Sequence, residues 1–522
     1  MEAEMEEKVK KLQELKRKAA LGGGEHKIAQ VHAKGKLTAR ERIDMLLDPG
    51  SFVELNMLVQ HEIGAPGDGI VCGHGTIDGR VVCIYSQDPT VFGGSIGALH
   101  GYKMYRTVER ALDMRVPLIG LHDSPGARAL KMGTPGAWDA ARARDEKSGN
   151  SIFFANTQAS GVVPQISAIL GSCAGISVYS PALTDFVFMV EGISHMFITG
   201  PRVVKSVMAE ELTMEELGGA KVHSRLSGVA DFRVKSEEEC FTKIRKLLSF
   251  LPSCNEESPP VVDTGDDPER RDDEIADIVP CSPYKSYDMR KVITRIVDNA
   301  DFLEVKGEFA PEIVVGFGRL AGHTVGIVAN QPMVRAGSMT VNSSDKQARF
   351  IRFCDCFNIP LVFLIDTPAY MPGSEQEHAG IIRHGAKVLY ALCEAVVPRV
   401  AVVLRKAYGG GNLGMGVVPG MGTDFVFAWP IAEIGVLGAE QTVDLFYADE
   451  IQKAENPDEY RAQKVREYRE QYANPFSVAS DSTHIEDIIE PRDTRWRLIK
   501  ALELLRHKKV WRQPKRHGNI PL

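Results

Sequence analysis

The feature that most constrains the fold is an internal repeat. Gly73, Gly75 and Gly79, in the run Val71-Cys-Gly-His-Gly-Thr-Ile-Asp-Gly-Arg-Val-Val, return 243 residues later as Gly316, Gly318 and Gly322 in Val314-Val-Gly-Phe-Gly-Arg-Leu-Ala-Gly-His-Thr-Val. At the same offset Val116-Pro-Leu-Ile119 matches Ile359-Pro-Leu-Val362, Asp123 matches Asp366 and Pro125 matches Pro368. Further on, Val162-Val-Pro164 corresponds to Val396-Val-Pro398, and Thr184-Asp-Phe-Val-Phe188 to Thr423-Asp-Phe-Val-Phe427. So many matches in one order imply two copies of one fold. From Gly69 onward strand and helix patterns alternate, which places both copies in the α/β class. A chain of 522 residues also exceeds the roughly 250 to 300 residues at which one core stops growing. Between the copies, Leu251 to Tyr287 gathers Pro252, Pro259, Pro260, Pro268 and Pro280 among acidic residues. The expected organisation is a domain over 1–255, a linker over 256–285 and a second domain over 286–522.

Each copy carries one glycine-containing turn after a buried strand. The branched run Val400-Ala-Val-Val-Leu404 leads into Arg405-Lys-Ala-Tyr-Gly-Gly-Gly-Asn-Leu-Gly414, and the strand Pro164 to Leu170 leads into Gly171-Ser-Cys-Ala-Gly-Ile-Ser177. Glycines at such a place let backbone N–H groups approach a ligand closely. Converging N–H groups form an oxyanion site, where losing one donor typically costs ~3 to 4 kcal/mol of transition-state stabilisation. Two like sites suggest two similar ligands, one of them a thioester carbonyl becoming an enolate. The sequence shows no Ser-His-Asp signature and no paired-histidine zinc motif, and Gly409 to Gly414 lacks the Lys-Ser/Thr of a phosphate loop. His384, beside Arg383 in a helical stretch, reads as either structural or catalytic.

Composition removes several function classes. A net charge of -7 gives no sign of a nucleic-acid or anionic-membrane partner. Gly, Pro or charge interrupts every apolar run well short of the ~18 residues that a membrane span needs. The nine cysteines are scattered, and Cys83, Cys173 and Cys393 sit in apolar contexts, so core thiols are expected rather than disulfides. Cys354 and Cys356 would not share a helix face. The N-terminal stretch is acidic, with Glu2, Glu4, Glu6 and Glu7, unlike a transit peptide, and a cytoplasmic enzyme is expected. Residues 1 to 20 read as a solvated helix, and a second helix runs from Leu37 to about Asp48.

At Gly35-Lys-Leu-Thr-Ala-Arg-Glu-Arg-Ile43, Val91-Phe-Gly-Gly-Ser95, Ser194-His-Met-Phe-Ile-Thr-Gly-Pro201, Met214-Glu-Glu-Leu-Gly-Gly219, Ala329-Asn-Gln-Pro332, Gly380-Ile-Ile-Arg-His-Gly-Ala386 and Arg405-Lys-Ala-Tyr-Gly-Gly410 the chain resembles the carboxyltransferase subunits of biotin-dependent acyl-CoA carboxylases. The resemblance extends to related decarboxylase and transcarboxylase subunits. It implies a tandem duplication of a crotonase-like domain, assembled as a homo-hexamer. In that arrangement acyl-CoA lies on the N-terminal domain of one subunit and biotin on the C-terminal domain of another. By motif, the N–H groups of Gly175 and Ile176 would hold the thioester enolate, and those of Gly410 and Gly411 the biotin ureido oxygen. Phe92, Gly93 and Gly94, with Ser124, Gly126, Ala127 and Arg128, would bind the CoA thioester or biotin, as would Tyr408 and Leu413. Carboxybiotin would release CO2, the biotin anion would take the α-proton and the enolate would attack CO2. No side-chain base and no metal is implied.

Some residues depart from the family pattern. Leu413 stands where many relatives have Asp or Ile at the border of the acyl pocket, Pro125 replaces a usual glycine, and the segment Ala129 to Gly149 is longer than in most relatives. No Ala-Met-Lys-Met motif is present, so biotin is expected on another chain: a biotin carboxyl carrier protein with a biotin carboxylase subunit, or a decarboxylase membrane complex. Propionyl-CoA carboxylase-like transfer is the leading expectation. The others are a biotin-dependent decarboxylase or transcarboxylase subunit, a biotin-independent hydratase or isomerase, and a non-catalytic acyl-CoA-binding scaffold.

Overall fold

Apolar, β-branched runs dominate the middle of each half, and such runs form parallel strands covered on both faces. The computed structural model describes residues 2–59, 67–128, 151–418, 420–481 and 484–521. The chain divides into two compact units, Met1–Glu257 and Ser258–Leu522. The first contains β1 (Val53–Leu55), β2 (Ile70–Ile77), β3 (Arg80–Gln87), β4 (Leu118–His122), β5 (Gln165–Ile169), β6 (Ser172–Ala174), β7 (Phe186–Val190), β8 (His195–Phe197) and β9 (Phe232–Val234). Its main sheet runs in the order β1-β2-β3-β4-β5-β7-β9, and β6 pairs with β8 apart from it. The second contains β10 (Leu303–Val305), β11 (Ile313–Leu320), β12 (His323–Asn330), β13 (Leu361–Thr367), β14 (Arg399–Tyr408), β15 (Phe425–Ala428), β16 (Glu433–Gly435) and β17 (Asp487–Ile488). Here the order is β10-β11-β12-β13-β14-β15-β17, with β16 joined to β14.

The repeat holds in register as well as in pattern. β2 and β3 form an antiparallel pair with Ile70 opposite Gln87, and β11 and β12 repeat it with Ile313 opposite Asn330. β4 and β5 run parallel with Leu118 opposite Gln165, as do β13 and β14 with Leu361 opposite Arg399. Arg399 thus follows Gln165 by 234 residues rather than 243, so the first copy is longer between these strands. That stretch includes Ala129 to Gly149, which lies outside the described residues but for its neighbours. Even a buried lysine recurs. Lys103 donates to the carbonyls of Gly67 and Ile70 at 2.9 and 2.6 Å, and Lys346 to those of Phe309, Ala310 and Ile313 at 2.8, 3.3 and 2.7 Å. Each ammonium satisfies carbonyls where the chain enters β2 or β11 and would otherwise leave them unpaired. Burial pushes Lys346 down to about 7.

The aspartates that match at the 243 offset are neutralised from different parts of the chain. Asp123 is ion-paired with Lys36 at 2.5 Å and with the fully buried Arg42 at 3.1 Å. Arg42 also contacts Glu237 at 2.7 Å and donates to the Leu170 carbonyl at 2.8 Å. Thr38 starts the helix that carries Arg42 (Ala39–Leu46) with a capping box, its side chain accepting from the Glu41 amide. Asp366 instead pairs with Arg405 and Lys406 of its own neighbouring strand, at 2.9 and 3.6 Å. Gly171 occupies the Arg405 position in the first unit, where a Cβ would overlap Asp123 Oδ1.

Two expectations are revised and one open reading is resolved. The proline-rich stretch read as a linker belongs to the second unit from Ser258 onward. Its backbone carbonyls, freed from helix and sheet by the prolines, accept from Arg405: Nη1 lies 3.1, 2.7 and 2.8 Å from the oxygens of Pro280, Ser282 and Lys285. Cys393, read as a core thiol, is exposed, whereas Cys83 and Cys173 are buried. His384 is resolved in favour of structure: its Nδ1 lies 2.8 Å from Asp345, which also binds Lys387 at 2.8 Å, joining two packed helices.

Candidate functional site

Both glycine turns fall at equivalent places. Gly175 lies ten residues beyond Gln165, and Gly409 ten beyond Arg399, so the strand registers make them counterparts. Both have the positive φ that glycine tolerates without cost, +59° and +47°, and both reverse the chain at a strand end. Ile176 is therefore the counterpart of Gly410, and Ser177 of Gly411. The Gly175 amide is already engaged, donating to the Ile198 carbonyl at 3.1 Å as the β6–β8 ladder continues into the turn. That revises the pairing of Gly175 with Ile176 as joint donors. Ile176 is the second residue of the helical turn Gly175–Val178, whose early amides lack intrahelical acceptors, and its side chain is exposed.

A second loop closes on each turn. In the first unit it is Asp123 to Arg128. Gly126 has φ +103°, and a Cβ on it would lie 2.5 Å from the Ala174 carbonyl oxygen and 3.9 Å from the Ile176 nitrogen. Ser124 supports this approach: its hydroxyl accepts from the Gly126 amide at 3.2 Å, and its carbonyl accepts from Ser177 Oγ at 3.0 Å. Ala127 pairs with Ile96 in a parallel bridge, where the Ile96 amide donates to the Gly126 carbonyl at 2.8 Å and the Arg128 amide to the Ile96 carbonyl at 2.9 Å. The second unit repeats the bridge between Met339 and Tyr370, with distances of 3.1 and 2.7 Å. Tyr370 then packs under the turn, 3.0 Å from where a Gly410 Cβ would be. A Cβ on Gly411 would lie 2.9 Å from Thr367 Cγ2. Gly410 and Gly411 sit in the first turn of the helix Gly409–Gly414, where amides have no intrahelical acceptor. Tyr408 is buried and donates to Glu433 at 2.5 Å, while Leu413 is exposed beside the turn.

Arg128 does not reach outward to a ligand. It is 8% exposed, and its guanidinium binds Asp68 Oδ1 at 2.6 Å and the Ser95 carbonyl at 2.9 Å while stacking 4.8 Å from the Phe92 ring centroid. It is a clamp on the loop that carries Gly126. Phe92, Gly93 and Gly94 form a tight turn with positive φ throughout, and a Cβ on Gly94 would overlap the Asp123 carbonyl oxygen. Beside them opens a cavity of about 980 Å³ bounded by Lys27, Lys34 and Lys36 on one side and Phe92, Gly93 and Pro125 on another. Lys27 and Lys34 were not singled out from sequence, and Lys36 entered only as part of the motif Gly35-Lys-Leu-Thr-Ala-Arg-Glu-Arg-Ile43. Tyr370 was also missed, and its signal was its place 243 residues after Ala127.

Replacing Gly126 by Ala should therefore part the two loops, since both its φ and its contact with Ala174 exclude a Cβ. We expect loss of most activity with a stability cost of about 1 to 3 kcal/mol, of the order found for backbone strain, measured by parallel assay and denaturant unfolding. Activity equal to that of the parent would show that the contact is dispensable.

The two fully buried histidines of the first unit's scaffold stay neutral. Burial pushes His100 and His122 down to about 3. Asp123 and Asp366, the carboxylates nearest to the loops, are tied to cations. The described residues contain no cluster able to hold a metal ion and no helix long and apolar enough to cross a membrane.

The family described as carboxyl transferase domain matches residues 30–520. The carboxyltransferase subunit of propionyl-CoA carboxylase from Haloferax mediterranei is 50% identical, over 99% of this chain and 100% of that one. Methylmalonyl-CoA decarboxylase subunit alpha from Veillonella parvula is 47% identical over 100% of both chains. Among solved structures, the transcarboxylase 12S hexamer with methylmalonyl-coenzyme A and methylmalonic acid bound superposes with a TM-score of 0.93 at 45% identity, over 99% of this chain and 98% of that one. The tandem α/β units are thus two crotonase-type folds. With a match across nearly its whole length and relatives at about half identity, this chain belongs to the carboxyl transferase domain family.

Proposed function

We propose that this chain is the carboxyltransferase of a biotin-dependent enzyme, moving a carboxyl group between biotin on another chain and the α-carbon of a short-chain acyl-CoA. The observation that carries this reading is the pair of equivalent turns, each presenting first-turn amides beside a positive-φ glycine and each closed by an Asp-x-Pro loop. The first unit takes the thioester. Its cavity suits CoA, with lysines on one wall to meet phosphates and glycines on another to admit a slender chain. The Ile176 amide holds the oxygen that gains charge as the enolate forms. Because the donor is fixed beforehand by the Gly126 contact, it stabilises that charge without reorganising.

The second turn fits a ureido group. Gly410 and Gly411 offer amide donors for its carbonyl, their missing side chains leave room for a flat ring, and Asn412 Oδ1 is buried without a partner, an acceptor for a ureido N–H. When bound, biotin supplies the transferable carboxyl. Tyr370 beneath and Tyr408 beside the turn hold the backbone in place. A hydratase or isomerase would need a free, positioned carboxylate, and Asp123 and Asp366, in the loops that close on the two turns, are held by cations.

The partners are a biotin carboxyl carrier protein, a biotin carboxylase subunit and further copies of this chain in a homo-hexamer. Exposed apolar side chains at matching places support self-assembly: Ile198, Val207 and Met208 in the first unit correspond to Val436, Leu445 and Phe446 in the second. Exposed thiols at Cys281 and Cys393 suit the reducing cytoplasm.

The test is carboxyl exchange between a biotinylated carrier and malonyl-, methylmalonyl-, ethylmalonyl- and glutaconyl-CoA, following loss of the acyl carboxylate. Methylmalonyl-CoA should exchange fastest. Absence of exchange with all four, in a protein that still binds CoA esters, would sink the reading.

A further inference from the structure

Ser172 and His195 are paired residues in the parallel β6–β8 ladder, which puts their side chains on one face. Ser172 Oγ lies 3.1 Å from His195 Nδ1, and His195 Nε2 lies 3.3 Å from Glu215 Oε2. Glu215 is supplied by the helix Met214–Gly218, which a Thr213 capping box begins, and Gly219 beyond that helix bridges back to His195. The three residues stand in the nucleophile, base and orienter order in which hydrolases activate a serine. Ser172 lines the cavity of about 980 Å³, the space assigned above to the CoA thioester. The fold does not require this trio: at the equivalent register the second unit pairs Lys406 with Glu433.

We propose that Ser172, His195 and Glu215 form a hydrolytic relay that cleaves acyl esters and thioesters entering the first unit's cavity, an activity separate from carboxyl transfer. Ser172 Oγ attacks the carbonyl carbon while His195 Nδ1 takes the hydroxyl proton. The carbon–sulfur bond then breaks, and CoA leaves as the thiol with that proton. Water, deprotonated by His195, cleaves the acyl-serine ester, releasing the free acid and restoring the hydroxyl. Glu215 accepts from the His195 Nε2–H, which sets the tautomer that leaves Nδ1 free to accept. Burial disfavours the charged imidazole, so His195 starts neutral and able to act as a base. The thioester part of this proposal rests on the reading of the cavity as a CoA site. The relay itself does not.

The test therefore uses two probes on the full-length chain. With p-nitrophenyl acetate, which carries no CoA, the protein should release p-nitrophenolate and add an acetyl group to the peptide holding Ser172, detected by mass spectrometry. Ser172→Ala should abolish the labelling and lower release by about 10²-fold or more, the usual worth of a positioned base and its nucleophile. Glu215→Gln should lower release at least tenfold and leave carboxyl exchange unchanged. Unlabelled Ser172, or equal release by Ser172→Ala, would overturn the relay. Acetyl- and propionyl-CoA, followed by thiol release without any biotin carrier, form the second probe. Hydrolysis of the phenyl ester without thiol release would overturn the thioester assignment and leave the relay standing. Thiol release that falls with Ser172→Ala supports both.

Discussion

Gly410→Pro should lower carboxyl exchange by roughly 10² to 10³-fold, the cost of one oxyanion donor, while the protein stays folded. Proline removes the N–H proposed to meet the ureido oxygen, and like alanine it places a Cβ 3.0 Å from Tyr370. Position 410 is in the first turn of Gly409–Gly414, where proline's missing donor had no intrahelical acceptor to lose. Gly410→Ala is the informative companion. It keeps the amide but adds a Cβ 3.0 Å from Tyr370, a contact tight enough to shift the ring or the turn. A smaller loss for alanine than for proline would identify the amide as the working group. Exchange within threefold of the parent for Gly410→Pro, with unchanged thermal stability, would remove this turn from the chemistry.

Arg42→Ala should be the most destabilising single change, at about 3 to 5 kcal/mol, the range for breaking a buried ion pair by deleting one partner. Arg42 is fully buried and serves Asp123, Glu237 and the Leu170 carbonyl together. Its removal leaves Glu237 without its arginine and the carbonyl without its donor, while Lys36 still holds Asp123. Calorimetry should show the loss in the transition of the first unit. Arg42→Met combined with Glu237→Gln should recover much of it, because Asp123 keeps Lys36 and no unpaired charge then remains buried. A loss under 1 kcal/mol for Arg42→Ala would mean that water replaces the guanidinium and the buried-charge account is wrong.

These two residues stand for two sides of one design. The Asp-x-Pro loop is used twice, once against each turn, and in each unit its aspartate needs a cation. The second unit takes that cation from the adjacent strand, at Arg405. In the first, Gly171 stands at that position and the charge comes from a helix near the N-terminus. Opening the strand at Gly171 leaves room for Lys36 beside a cavity bounded by lysines, whereas Arg405 in the second unit anchors the proline-rich chain at 280–285.

Much of this was legible in the residues alone. Two α/β units, their glycine turns and the family follow from periodicities and short motifs, because strand pattern, glycine requirement and repeat spacing are local properties written along the chain. What only the tertiary structure decided depends on which distant segments meet. The one-residue shift that makes Ile176 the counterpart of Gly410, and the loss of the Gly175 amide to Ile198, come from strand register, which side-chain pattern leaves open in strands buried on both faces. Arg128 turned from an expected ligand contact into a clamp because Asp68, 60 residues away, reaches it first. Ser172 and His195 lie in separate stretches whose meeting no motif announced, since a parallel pairing brings together residues separated by a crossover whose length the chemistry does not constrain. Arg42 likewise looked like one charge in an amphipathic helix, and only packing that removes water from it, Asp123 and Glu237 together makes it a core residue.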